Sequence, residues 1–164
     1  MRRPRTLFAM RTQRQVVDYS LQKRAVLRDV RSGRIGTLEV CDASPYLRNA
    51  ATYHGEPIDE RCPICRRENL TLVHYVYGDE LKQSAGQARK LAELPVMAMT
   101  LREFQVFVVE VCRACAWNHL VERFVLGRDG LAAEETLHSG AMVSSGGGGS
   151  RRTGDSSHNG EGRR

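Results

Sequence analysis

The chain has 164 residues, 41% of them hydrophobic and 27% charged, with a net charge of +6. That is the size of one ordinary domain, too short for a barrel enzyme or for a dinucleotide-binding enzyme with its own substrate domain. No run approaches the roughly 18 apolar residues of a membrane span, and no apolar signal core follows the basic N-terminus, so the cytoplasm is the expected location.

Residues 1–13 read as a basic tail, and the charge is concentrated around it. Residues 1–34 hold ten Lys/Arg against two Asp, residues 35–130 eleven against thirteen, and the remainder four against four. Such an arm attracts phosphate or an acidic protein face, with an affinity that falls as salt rises. Its candidate contacts are Arg2, Arg3, Arg5, Arg11, Arg14, Lys23, Arg24, Arg28 and Arg31, all expected in solvent.

Residues 14–56 read as a helical segment of two or three helices. The first is expected to start near Gln13, carry Val16, Val17, Tyr19, Leu21, Val26, Leu27 and Val30, and stop at Gly33. A short helix over Leu38 to Asp42 follows, with Thr37 as a possible cap. Ser44-Pro45 then opens a third: a cap oxygen, then a residue with no amide hydrogen to satisfy. Three such helices fit a helix-turn-helix and fit equally a small helical cap on the next unit.

Residues 57–128 read as a three-stranded antiparallel zinc ribbon. A polar connector from Gly55 to Arg61 leads to Cys62-Pro-Ile-Cys65. Leu70–Tyr77 is β-branched and aromatic, a good strand. Residues 79–100 are expected to hold a helical insertion, weakened by Gly86 and ended by Pro95. Phe104–Val111 is the strongest strand in the chain. It runs into Cys112-Arg-Ala-Cys115, and Trp117–Leu126 reads as the third strand. Residues 129–164 read as a flexible tail; from Ser144 onward no residue is hydrophobic, so nothing there offsets the entropy of ordering.

Two CxxC pairs in a chain without a secretion signal point to a metal site before disulfides. Each pair turns both sulfurs to one side of a tight turn, and two facing turns supply a tetrahedral set. The 46 residues between Cys65 and Cys112 are an insertion between strands, whose closure entropy grows only logarithmically. The reading is one structural Zn²⁺ per chain held by Cys62, Cys65, Cys112 and Cys115, with iron as the alternative metal. Four thiolates leave no open position for catalysis. Arg66, Arg67 and Arg113 beside the turns offset part of the centre's negative charge.

Other residues read more plainly. His119 is a weaker alternative ligand. His74 is expected at the surface or half-buried, and His54 at a helix end. Cys41 reads as a buried free cysteine, and Trp117 as a plug over the metal site. Tyr75 and Tyr77 share one strand face, for core packing or for base stacking. No catalytic motif appears, so no enzyme and no small-molecule substrate are expected.

Arg14-Gln-Val-Val-Asp-Tyr19, Val40-Cys-Asp-Ala43, Cys62-Pro-Ile-Cys-Arg66, Tyr75-Val-Tyr-Gly-Asp79 and Val111-Cys-Arg-Ala-Cys-Ala-Trp-Asn-His-Leu120 together resemble an uncharacterised actinobacterial family of small zinc-ribbon-type proteins, a domain of unknown function. The resemblance covers about residues 12–128. It implies a cytoplasmic protein with the four-cysteine site, and it places Cys41 inside the domain.

Two functions follow. One is a nucleic-acid-associated regulator of transcription or translation that uses the basic arm. The other is a protein adaptor that docks on a large complex such as RNA polymerase or the ribosome without touching nucleic acid. Neither involves a membrane.

Overall fold

Phe-Gln-Val-Phe-Val-Val-Glu-Val, the most β-prone run in the sequence, forms β5 (Phe104–Val111) in the middle of one antiparallel sheet. The computed structural model describes residues 13–130, an α+β fold built on that sheet. The other strands are β1 (Arg14–Asp18), β2 (Glu56–Arg61), β3 (Asn69–Tyr77), β4 (Gln87–Arg89) and β6 (Asn118–Leu126). Their order is β1-β6-β5-β3-β2. The outer edge of β3 is shared, with β2 beside Asn69–Leu72 and β4 beside His74–Val76.

The described sheet therefore has six strands rather than three. The expected three are β3, β5 and β6. The added ones are short and polar, and β1 and β2 are edge strands whose residues are only half-buried or exposed. Pro57 fits β2 because an edge strand has amides that need no ladder partner.

The first helix does not start near Gln13. Residues 14–18 pair with β6, and the Tyr19 amide donates to the Val121 carbonyl at 2.9 Å. The Asp18 carboxylate then accepts from the Ser20 amide at 2.6 Å, which opens α1 (Ser20–Arg31). Gly33, at φ +75°, ends it as expected. A single turn, α2 (Thr37–Val40), precedes α3 (Pro45–His54), where the Ser44 hydroxyl accepts from the Leu47 amide at 3.2 Å. The 79–100 segment holds two 3₁₀ turns (Asp79–Ser84 and Leu91–Glu93), β4, and α4 (Leu94–Thr100). Pro95 opens α4 rather than ending a helix, because a first-turn residue has no intrahelical partner for its missing amide hydrogen.

The sheet buries both faces. Val76, Phe104, Val106, Val108, Phe124 and Leu126 pack with Leu94 and Ala98 of α4. Val73, Ala88 and Val111 point to the opposite face and pack with Ala50 and Ala51 of α3. His74 is buried, not half-exposed, and its Nδ1 has no hydrogen-bond partner. After β6 the chain turns at Gly127, at φ +141°, where a Cβ would run into the Arg102 carbonyl. That position admits only glycine without strain.

Candidate metal centre

Both CxxC pairs lie on hairpin turns at the same end of the sheet. One turn joins β2 to β3 and the other joins β5 to β6. Because β3 and β5 are antiparallel, with Thr71 opposite Val111, the start of one strand lies beside the end of the other. The two turns are alike. The Arg66 amide donates to the Cys62 carbonyl at 3.1 Å, and the Ala116 amide to the Cys112 carbonyl at 2.9 Å. Arg66 and Ala116, each just after its second cysteine, both take positive φ, +55° and +65°.

The four Sγ atoms of Cys62, Cys65, Cys112 and Cys115 all lie within 4.8 Å of one another. Cys62 to Cys115 is 3.5 Å and Cys65 to Cys112 is 3.6 Å. A tetrahedral zinc with sulfurs about 2.3 Å away needs edges of about 3.8 Å, so the donor set fits the ion in number, type and spacing. Its electrostatics also call for a cation. Burial pushes Cys62 and Cys112 up, and Cys115 up to about 12. Cys65, against its own burial, is held down to about 6 by the Arg67 amide and the neighbouring thiols. Four thiolates this close stay ionised together only around a positive charge.

The centre has an apolar cover. Cys62, Cys112, Leu70 and Trp117 are buried together, with Val26 and Leu27 of α1, Val40, Cys41, Ile58 and Ile64 against them. Trp117 sits as the expected plug, with no solvent exposure. Its indole N–H donates to Glu110 Oε1 at 3.0 Å, and its ring stacks on His119 with centroids 6.0 Å apart. His119 is not one of the clustered donors. Cys41 is half-buried beside the cluster, and burial raises its thiol. The Ala43 amide donates to the Ala116 carbonyl at 2.9 Å, and the Asn118 amide group to Asp42 at 2.9 Å, which fix this segment to the second turn.

The basic-arm residues separate into three groups. Arg2, Arg3, Arg5 and Arg11 lie outside the described residues, as does the stretch from residue 131 onward. Lys23 is not in solvent: its ammonium donates to Glu110 at 2.7 Å and Glu60 at 3.1 Å, with only 14% of the side chain exposed. Arg14 pairs with Glu103 at 3.1 Å. Arg24, Arg28 and Arg31 remain exposed on α1. The sequence reading missed Glu110, whose side chain is fully buried. Its signal was an acidic residue on the inward face of the strongest strand, which demands a buried partner. Tyr75 stacks on Tyr46 at 6.3 Å, and Tyr77 meets Phe107 edge-on at 5.3 Å, both packing contacts.

Fold and site together define a small α+β protein whose antiparallel sheet is closed at one end by a tetracysteine cluster able to hold a metal ion. The chain belongs to the family of unknown function DUF5318, whose family model matches residues 10–139. That match reaches past Gly130, beyond the limit the sequence resemblance drew. The chain is 54% identical over 111 residues to the uncharacterized protein Rv0049 of Mycobacterium tuberculosis and to the uncharacterized protein Mb0050 of Mycobacterium bovis. Each alignment covers 68% of this chain and 81% of the relative. No solved structure matches. No helix among the described residues is long and apolar enough to cross a membrane.

Proposed function

We propose that this protein holds one structural Zn²⁺ on Cys62, Cys65, Cys112 and Cys115, in two zinc-ribbon-like turns, and works as a small nucleic-acid-associated accessory protein of transcription or translation. The observation that carries the metal assignment is the set of four sulfurs within 4.8 Å on two matching hairpin turns. When bound, the ion supplies folding free energy by tying the β2–β3 and β5–β6 hairpins together. The cysteines hold it, Trp117 and Ile64 keep water from it, and the buried Glu110 fixes Trp117. Four thiolates complete a tetrahedral shell, so the centre is structural rather than catalytic.

The nucleic-acid assignment is supported by cations left in solvent, Arg24, Arg28 and Arg31 on α1 and the arginines beside the two turns. Affinity purification of the full chain from native lysate, with and without nuclease, tests it. Co-purifying material that disappears with nuclease is the expected result. A single protein partner retained after nuclease would replace this reading with a protein adaptor.

A further inference from the structure

Resting on the nucleic-acid reading, we propose that the phosphate-binding surface is a crown of arginines around the two cysteine turns, Arg48, Arg61, Arg66, Arg67 and Arg113, and that its ligand is the phosphodiester backbone of a nucleic acid. Of the basic residues that charge counting singles out, Lys23 is turned inward and Arg14 is paired, while Arg24, Arg28 and Arg31 stay exposed on α1. The crown comes from three separate parts of the chain. Arg61 ends β2, Arg66 and Arg67 follow Cys65, Arg113 lies inside the second turn, and Arg48 arrives on α3. The sulfur cluster brings the two turns together.

Two hydrogen bonds seat the outer members. The Arg48 guanidinium donates to the Arg113 carbonyl at 3.3 Å, and the Arg61 guanidinium to the Arg66 carbonyl at 3.1 Å. All five side chains are exposed, and none pairs with a carboxylate among the described residues. The acids beside them do not answer them: Glu60 is taken by Lys23, Asp59 forms no ion pair with them, Glu68 is half-buried with Oε2 turned away from solvent, and Asp42 is engaged by Asn118. A zinc tetrathiolate carries two negative charges, so five guanidiniums exceed what the centre neutralises. Every member is arginine and none is lysine. The planar fork suits paired oxygens of a phosphate, and a run of unpaired forks suits a ligand with repeated phosphates.

The test uses the full-length zinc-loaded protein and two probes, a fluorescein-labelled duplex DNA and a labelled RNA strand, with anisotropy followed across a salt series. The triple variant Arg66→Gln/Arg67→Gln/Arg113→Gln spares the two arginines that bond to the turns. On duplex DNA it is expected to weaken binding on the order of tenfold and to flatten the log–log salt slope by about 2 to 3. The matching Arg→Lys triple, which keeps the charge, is expected to retain most of the slope. Zinc content and melting temperature are measured alongside. Should the triple variant lose its metal, Arg113→Gln alone gives the same reading, with a slope change of about 1. A wild type that binds while the Gln variants keep its affinity and slope on both probes overturns the crown and leaves the nucleic-acid reading standing. A wild type that binds neither probe at low salt overturns both.

Discussion

At the scale of single residues, a buried ionic contact lies beside the centre. Glu110 is fully buried and takes hydrogen bonds from Trp117 and from Lys23. An uncompensated charge there is costly, so removing the cation is worse than deleting an ordinary surface group. Lys23→Gln is expected to destabilise the fold by roughly 3 kcal/mol, read by denaturant titration. Arg24→Gln, one residue on and exposed, is expected to change stability by less than about 0.5 kcal/mol. Equal effects would mean that Lys23 adds nothing beyond an exposed cation. His74 gives a second residue-scale expectation. Burial lowers it from 6.5 to about 4, so the folded chain refuses a proton that the unfolded chain accepts in that window. The stability linked to His74 is complete above about 6.5 and is lost as pH falls toward 4, with about 2 kcal/mol gone by about pH 5. His74→Phe removes that component and leaves the acid sensitivity of the thiolates. The gap in unfolding free energy between wild type and variant should therefore shift by this amount between about pH 7 and about pH 5. A gap independent of pH would show that His74 titrates normally in the fold.

At the scale of elements, what the sequence made legible was whatever carried its own local chemistry. β3 and β5 were readable from their β-branched and aromatic runs, and β6 from its place after the second cysteine turn. α3 was readable from Ser44-Pro45, and the end of α1 from Gly33. The four clustered cysteines were readable because CxxC spacing is itself the geometry of a turn. The edge strands were not. Val16 and Val17 belong equally to a helix stripe and to a strand, and only pairing with β6, more than a hundred residues away, decides for β1. β2 was hidden by Pro57 and by the charged run Asp59-Glu60-Arg61, which an edge strand tolerates and a central one does not. Pro95 was read as a stop because proline ends a helix from inside and begins one from its first turn, and sequence alone does not say which side it is on. Lys23 was misplaced for a similar reason. A lysine on an imperfect apolar stripe points to solvent unless something buried calls it in, and Glu110 was not recognised as buried.

At the scale of the whole molecule, the two ends of the described chain meet, since β1 pairs with β6, and the hairpins meet at the sulfur cluster. The sheet has well-packed apolar clusters on both faces, so it does not depend on metal as a bare ribbon would. The end of the sheet is different. There the packing consists of four thiols, Trp117 and a few aliphatic side chains, and the proposed metal would hold the thiolates together. The central claim is that these four cysteines bind one zinc. Elemental analysis of the purified full chain, run beside Cys62→Ser and Cys115→Ser, measures it directly. The account predicts a zinc-to-protein ratio of about 1 for the wild type, and loss of the metal with a lowered melting temperature in each variant. Wild-type protein that contains no zinc and folds with free or disulfide-linked thiols, or variants that keep the metal and melt as before, would contradict it.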